Sequence, residues 1–159
     1  MKRLLLICLV FLGVALTVKA NGEPDFASKY LMLYGQTYDI DCKTISPQMM
    51  ERILSGVAGS EDENTMRVLS QIKSIRILTT EPNACQAKTL FEKAEELAAQ
   101  NRRRYSVYSQ AHGQNIYVRR RGKQFLELVV VKQKEDRTFY MLSLTGYLSD
   151  KFLQQVLKM

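Results

Sequence analysis

The sequence predicts an α+β fold with a single mixed, mostly antiparallel sheet of five to six strands and with helices packed on one face. Two observations carry this prediction. The last third of the chain contains four stretches of alternating apolar and polar residues separated by short turns, which is the pattern of an antiparallel meander. Two shorter strand patterns and a long amphipathic helix pattern over residues 82–101 precede it, so helices and strands are mixed along the chain.

Residues 1–20 have the three-part pattern of a secretory signal peptide rather than of a folded element. A short basic start is followed by an almost unbroken apolar run over residues 4–16, and Val18 and Ala20 occupy the two positions that a signal peptidase reads. Cleavage is therefore expected between Ala20 and Asn21. A retained membrane anchor is the alternative, but the run is shorter than the roughly 20 apolar residues that span a bilayer.

The expected mature chain, residues 21–159, has the length of a single domain. No second apolar stretch of spanning length follows, so no membrane span is expected after cleavage. Export would place the protein in the periplasm or outside the cell. In that setting, nucleic acid is a poor candidate for a partner.

The first half of the mature chain alternates short helices and strands. A helix is predicted over residues 26–34, where apolar residues recur at helical spacing, and a strand over residues 37–43, where they alternate. Ser46 as N-cap, followed by a proline, begins the next helix. This helix ends in an acidic, exposed loop over residues 59–64, and a second strand follows over residues 72–79.

The second half consists of the long helix, the meander and a last short helix. The long helix ends at three arginines, whose charges complement the helix dipole. The meander strands are predicted over residues 105–111, 114–121, 125–133 and 138–145. Turn-forming residues lie between them, and Ser149 and Asp150 cap the last helix.

The alternation within the meander predicts which side chains share a face. The turns favour three pairings: Ala111 with Gln114, Arg121 with Phe125, and Lys134 with Thr138. One face is then an apolar core face that is expected to receive the helices. It carries Val107, Ile116, Val118, Leu126, Leu128, Val130, Tyr140, Leu142 and Leu144.

The second face of the meander is more apolar than a solvated face should be. It carries Tyr108, Tyr117, Val129, Val131, Phe139 and Met141, with Arg119 and Arg121 at its rim. A free apolar face of this kind marks a contact surface, so we expect it to bind an envelope protein or a second copy of the chain. Two alternatives stay open: the first short helix covers this face, or strand propensity alone selected these residues.

Positive charge is concentrated in the C-terminal part of the chain. Residues 21–101 contain 8 basic and 12 acidic residues, whereas residues 102–159 contain 12 and 4. Two arginine triplets, at 102–104 and 119–121, flank the first hairpin of the meander. They could hold phosphate or sulfate through paired hydrogen bonds, and an anionic envelope component such as lipopolysaccharide or a glycan would supply such groups. The alternative is that these charges only balance the fold and guard strand edges.

Cys42 and Cys85 are the two cysteines that follow the signal peptide. An oxidising compartment permits a disulfide between them. If the strands over residues 37–43 and 72–79 were parallel, both cysteines would lie at the same edge of the sheet, and the bridge would be geometrically possible.

The sequence contains no motif for catalysis or for cofactor or metal binding. His112, the single histidine, lies in a predicted hairpin turn without a sequence-near partner. A Gly-x-Ser-x-Gly motif, a glycine-rich phosphate loop and a Cys-x-x-Cys motif are all absent. The sequence therefore favours a non-catalytic protein without a cofactor, and a hydrolase is the least supported class.

The order of several short segments resembles a known family. These segments are Ile45-Ser46-Pro47-Gln48-Met49-Met50, residues 72–78 (IKSIRIL), the long Ala/Glu helix, and Leu142-Ser143-Leu144-Thr145-Gly146 before the last helix. Together they resemble DUF4252, a family of small exported Bacteroidetes proteins of unknown function. The family usually has Tyr-Ile-Ser where this chain has Thr-Ile-Ser. The resemblance implies an envelope location and a link to extracytoplasmic stress signalling, and it supplies no catalytic residues.

Overall fold

The computed structural model describes residues 24–59 and 63–156 of the chain. The helices in these ranges are α1 (Phe26–Tyr34), α2 (Pro47–Val57), α3 (Glu63–Leu69), α4 (Ala84–Gln100) and α5 (Asp150–Val156). The strands are β1 (Asp41–Ile45), β2 (Ile72–Thr79), β3 (Ser106–Ala111), β4 (Gln114–Arg121), β5 (Gln124–Gln133) and β6 (Phe139–Leu148). The predicted signal peptide and its cleavage site at Ala20 and Asn21 lie outside the described residues.

The six strands form one open sheet in the order β1-β2-β6-β5-β4-β3. Every neighbouring pair is antiparallel, and β2 is inserted between β1 and the last strand of the meander. The predicted α+β class and the antiparallel meander are confirmed. The parallel arrangement of the first two strands is wrong, since β1 pairs antiparallel with β2 and Cys42 lies opposite Leu78. In the described residues, no helix is long and apolar enough to cross a membrane.

The predicted register of the meander is confirmed over most of its length. Ala111 lies opposite Gln114, and the Lys134 N–H donates to the Thr138 carbonyl at 3.0 Å. The pairing of Arg121 with Phe125 is wrong by one residue. A bulge follows Arg119 in the β4–β5 pairing, so that Arg121 lies opposite Gln124.

A second bulge in β3 changes which side chains face the core. It falls between Val107 and Ser109 in the pairing with β4. Val107, predicted for the core face, is 55% exposed. Tyr108, predicted for the second face, instead makes an edge contact with Phe125, a member of the opposite core cluster. Alternation alone does not reveal bulges, because the extra residue reverses the pattern locally.

The second face of the meander is buried, so the expectation of a free contact surface is wrong. Helices α1 and α4 cover it through Phe26, Tyr30 and Leu90. Tyr117, Val129, Val131, Phe139 and Met141 are each at most 2% exposed beneath them. The alternative prediction, in which the first helix covers this face, is confirmed, and α4 covers the face together with α1.

The opposite face carries a second core cluster. Met50 of α2 and Phe152 and Leu153 of α5 pack there against side chains such as Leu128 and Leu144. The expectation that helices pack on one face is therefore confirmed only in part. The most extensive contacts between a helix and the meander are those of α4 with β5 and β6. They lie on the face that carries Tyr117 and Val129.

Capping residues explain where three of the helices begin. Asp25 accepts a hydrogen bond from the Ser28 N–H at 2.7 Å and begins α1. Ser46 begins α2 as predicted, and Asn83 begins α4. Helix α3 was not predicted from the sequence, since it has only seven residues and buries none of them. Glu63 in its first turn and Arg67 in its last turn complement its dipole.

Candidate anion-binding site

The two arginine triplets meet at one end of the sheet. The chain leaves α4, turns through residues 101–104 and enters β3, while residues 119–121 end β4 directly before the Gly122 turn. Both triplets line a single cleft of about 760 Å³, together with Gln100, Asn101 and Leu126. We call this site the arginine cleft.

Asn101 shapes the turn that presents the first triplet. Its backbone N–H donates to the Leu97 carbonyl at 3.2 Å, and its side-chain Nδ2 donates to the same carbonyl at 2.7 Å. These bonds satisfy a free carbonyl at the end of α4. Its carbonyl then accepts from the Tyr105 N–H at 2.9 Å, and its Oδ1 accepts from Lys29 Nζ at 2.7 Å. The turn is therefore fixed to both α4 and α1.

The β-bulge in the second hairpin places the other triplet. Arg119 lies opposite Glu127 and Arg120 lies opposite Phe125, so Leu126 is the extra residue. Bulges re-aim side chains by bending the strand. Arg119 thereby reaches a buried carboxylate, and the guanidinium of Arg120 lies 4.1 Å from the centre of the Phe125 ring.

Glu127 is a fully buried carboxylate that orients Arg119. Arg119 Nε donates to Glu127 Oε2 at 3.1 Å, and the Tyr105 hydroxyl donates to the same oxygen at 2.8 Å. The other oxygen accepts from the Phe26 N–H of α1 at 2.8 Å and from the Ser143 hydroxyl at 3.2 Å. Four donors satisfy this carboxylate, which is what a buried charge requires.

Aromatic rings hold two further guanidinium groups in place. Arg120 stacks on Phe125, and Arg104 lies 5.4 Å from the centre of the Tyr105 ring. Burial, and then the carboxylate of Glu127, raise the pKa of the Tyr105 phenol well above its usual range. Tyr105 therefore stays protonated and donates to Glu127. Three of the six arginines in the cleft are thus held by neighbouring side chains.

The electrostatics of the arginine cleft are one-sided. Among the described residues that line it, six carry a guanidinium and none carries a carboxylate. Arg102, Arg103 and Arg121 are exposed, and Glu127 lies beneath the cleft, where it pairs with Arg119. Guanidinium groups bind carboxylate, phosphate and sulfate oxygens through paired hydrogen bonds, so the lining of this cleft is suited to an anion.

The other predicted site residues are dispersed. Cys42 and Cys85 are free and exposed in the structure, and the antiparallel pairing of β1 with β2 removes the geometric argument for bridging them. Tyr117, Val129, Val131, Phe139 and Met141 of the second face belong to the core, whereas Tyr108 is 37% exposed. Within the described ranges, no cluster of three or more His, Cys, Asp or Glu side chains could hold a metal ion.

The part that Glu127 has in the site was not predicted from the sequence. Its signal was visible, since a glutamate within the apolar stretch of β5 is unusual and the predicted register places it opposite Arg119. The contributions of Tyr105, Phe26 and Ser143 could not be seen, because they depend on tertiary packing.

The fold and the cleft define a class: an α+β protein with one antiparallel sheet and an arginine-lined cleft at its end. The model of a family described as a domain of unknown function, DUF4252, matches residues 34–156. This match covers most of the chain, which therefore belongs to the DUF4252 family, and it begins at the last residue of α1. No curated protein and no solved structure shows significant similarity to the chain.

Proposed function

We propose that this chain is an exported, non-catalytic binding protein whose arginine cleft holds the anionic oxygen groups of an envelope component. One observation carries the proposal: two arginine triplets that are separate in the sequence line the same cleft, without a carboxylate among its described lining residues. Arg119 is paired with Glu127, but the exposed Arg102, Arg103 and Arg121 are like charges that repel one another, and a bound anion relieves that repulsion.

The contacts beneath the cleft support binding rather than a chance grouping of charges. Arg119, Arg120 and Arg104 are held by Glu127, Phe125 and Tyr105 before any ligand arrives. Side chains that are already ordered lose less conformational freedom on binding, so more of the interaction energy appears as affinity. Arginines that served only to prevent strand pairing would not need such ordered side chains.

The export signal predicted over residues 1–20 suggests where such a ligand would be met. Outside the cytoplasm, phosphates of lipopolysaccharide, sulfates or carboxylates of glycans, and carboxylates of acidic polypeptides all present the required oxygens. Binding through the second face of the meander is no longer a candidate, because α1 and α4 bury that face.

The test is a calorimetric titration with inorganic tripolyphosphate at low salt. We expect binding by the wild type and at least about tenfold weaker binding by the double variant Arg103→Gln/Arg121→Gln, since every 1.4 kcal/mol is tenfold in affinity. Both side chains are exposed, so the fold should persist. The expected affinity falls with added salt.

A matched control separates the cleft from overall charge. The double variant Lys43→Gln/Arg52→Gln also removes two positive charges, one from β1 and one from α2, near the other edge of the sheet. It should bind tripolyphosphate within about twofold of the wild type. Equal losses in both double variants, or no binding by the wild type at low salt, would contradict the proposed function.

A further inference from the structure

Strand β3 forms an open edge of the sheet beside the arginine cleft. It is last in the strand order, and in the described part of the chain no strand pairs with its outer side. All six of its residues are exposed. An edge strand presents a row of unpaired N–H and C=O groups, to which another strand can add.

The two edges of the sheet differ in how they are guarded. Natural sheets block such edges with charged residues or proline. Strand β1 carries Asp41 and Lys43, whereas β3 has the sequence SVYSQA, with neither charge nor proline. Strand β3 is therefore the edge that is open to pairing.

A groove of about 410 Å³ lies alongside β3, between this strand and α4. Ala98, Ala99 and Tyr105 provide apolar lining, and Val107 lines it while 55% exposed. A strand added at the edge would place alternate side chains on this side of the sheet. The groove can therefore receive an apolar side chain from such a strand.

The two ends of the groove carry opposite charges. Arg102 lines both the groove and the arginine cleft, and it precedes the start of β3. At the other end, Glu95 accepts a hydrogen bond from Asn115 Nδ2 at 2.7 Å, and Asn115 lies opposite Gln110 of β3. The groove is thus positive beside the first residue of β3 and negative towards its last residues.

We propose that β3 binds an extended polypeptide segment as a seventh strand, antiparallel to β3, with carboxylates at the C-terminal end of the segment in the arginine cleft. All five pairings in the sheet are antiparallel, and another antiparallel strand continues that pattern. Its direction brings its C-terminal end beside Arg102 and its N-terminal end towards Glu95. The position of the carboxylates rests on the proposed function, and the strand addition goes beyond it.

Two synthetic peptides of equal composition test the direction of binding. Both are acetylated and amidated octapeptides that contain five alternating Val and Thr residues and three Glu residues. The Glu residues come last in one peptide and first in the other. In isothermal titration calorimetry, we expect the peptide with C-terminal Glu residues to bind at least about tenfold more tightly. Arg102→Gln should reduce this preference, and Lys43→Gln should leave it unchanged.

Amide hydrogen exchange tests whether the peptide adds as a strand. The tighter peptide should slow exchange in Ser106–Ala111 and leave Asp41–Ile45 unchanged, because only β3 gains hydrogen bonds. Equal affinity for the two peptides, or no added protection in β3, would overturn the proposal. If tripolyphosphate still binds in that case, the anion-binding function stands and only the strand addition is wrong.

A second copy of the chain is the competing occupant of this edge. Analytical ultracentrifugation of the free protein decides the matter. We expect a monomer at micromolar concentration. A dimer that Val107→Lys converts to a monomer would show that β3 pairs with itself, which would overturn the proposal.

Discussion

Glu127 connects the arginine cleft to the core of the protein. Its side chain is fully buried, yet it contacts Arg119 in the cleft, Tyr105 at the entry to β3, and the first residue of α1. Burial of a carboxylate is unfavourable unless donors surround it, and here four do. One residue therefore orients a guanidinium of the cleft and fixes α1 over the sheet.

Replacing this carboxylate by an amide tests its structural part. Glu127→Gln removes the charge that Arg119 neutralises and brings an NH2 group among donors, so we expect a loss of about 3 kcal/mol in the free energy of unfolding. Urea denaturation measures it. The matched control is Glu92→Gln on the exposed face of α4, where a change below about 0.5 kcal/mol is expected. A loss at Glu127 as small as that of the control would show that the buried network contributes nothing to stability.

Gly146, the last residue of the motif Leu142-Ser143-Leu144-Thr145-Gly146, lies where two strands approach each other closely. It lies in β6 opposite Ile72, next to a bulge in β2. A Cβ built at this position would overlap the Gln71 carbonyl and approach the Lys73 nitrogen to 3.0 Å. The close approach lets the Tyr147 N–H donate to the Gln71 carbonyl at 2.9 Å. The glycine is thus required by contact between two backbones.

Two glycine substitutions should therefore have opposite signs. Gly146→Ala should lower the free energy of unfolding by about 1–3 kcal/mol, because the backbone of β2 must move. Gly56→Ala lies within α2, where no atom would contact the added Cβ, and should raise it by about 0.4–1 kcal/mol. Thermal and urea unfolding measure both. A neutral result at Gly146 would contradict the close approach of β2 and β6.

The elements of the fold were predictable to the extent that their signals are local. Ser46 predicted the start of α2, and the alternation in β4, β5 and β6 predicted the meander and its register. The bulges beside Val107 and Arg119 were not visible, because they depend on how two strands twist together. The direction of β1 relative to β2 was not visible either, since a connection through two helices permits both directions.

At the scale of the whole molecule, the sequence left open which helices cover which face. Both faces of the meander are apolar, and β-strand alternation cannot tell a covered face from a contact surface. The packing of side chains determines which face each helix covers. Phe26 and Tyr30 of α1 occupy the face on which Tyr117 and Val129 lie. The meeting of the two arginine triplets was also a tertiary result, although their placement on either side of one hairpin had suggested it.

The proposed function requires that the six arginines form one anion-binding site. A crystal of the protein soaked in tungstate tests it most directly, because tungsten scatters anomalously and its position is seen without assumptions about the ligand. We expect the strongest anomalous peak in the arginine cleft, within hydrogen-bonding distance of guanidinium groups from both triplets, and we expect Arg103→Gln/Arg121→Gln to weaken it. A strongest peak at another cationic surface, such as that of Lys43 and Arg52, would show that the arginine cleft is not the main anion-binding site.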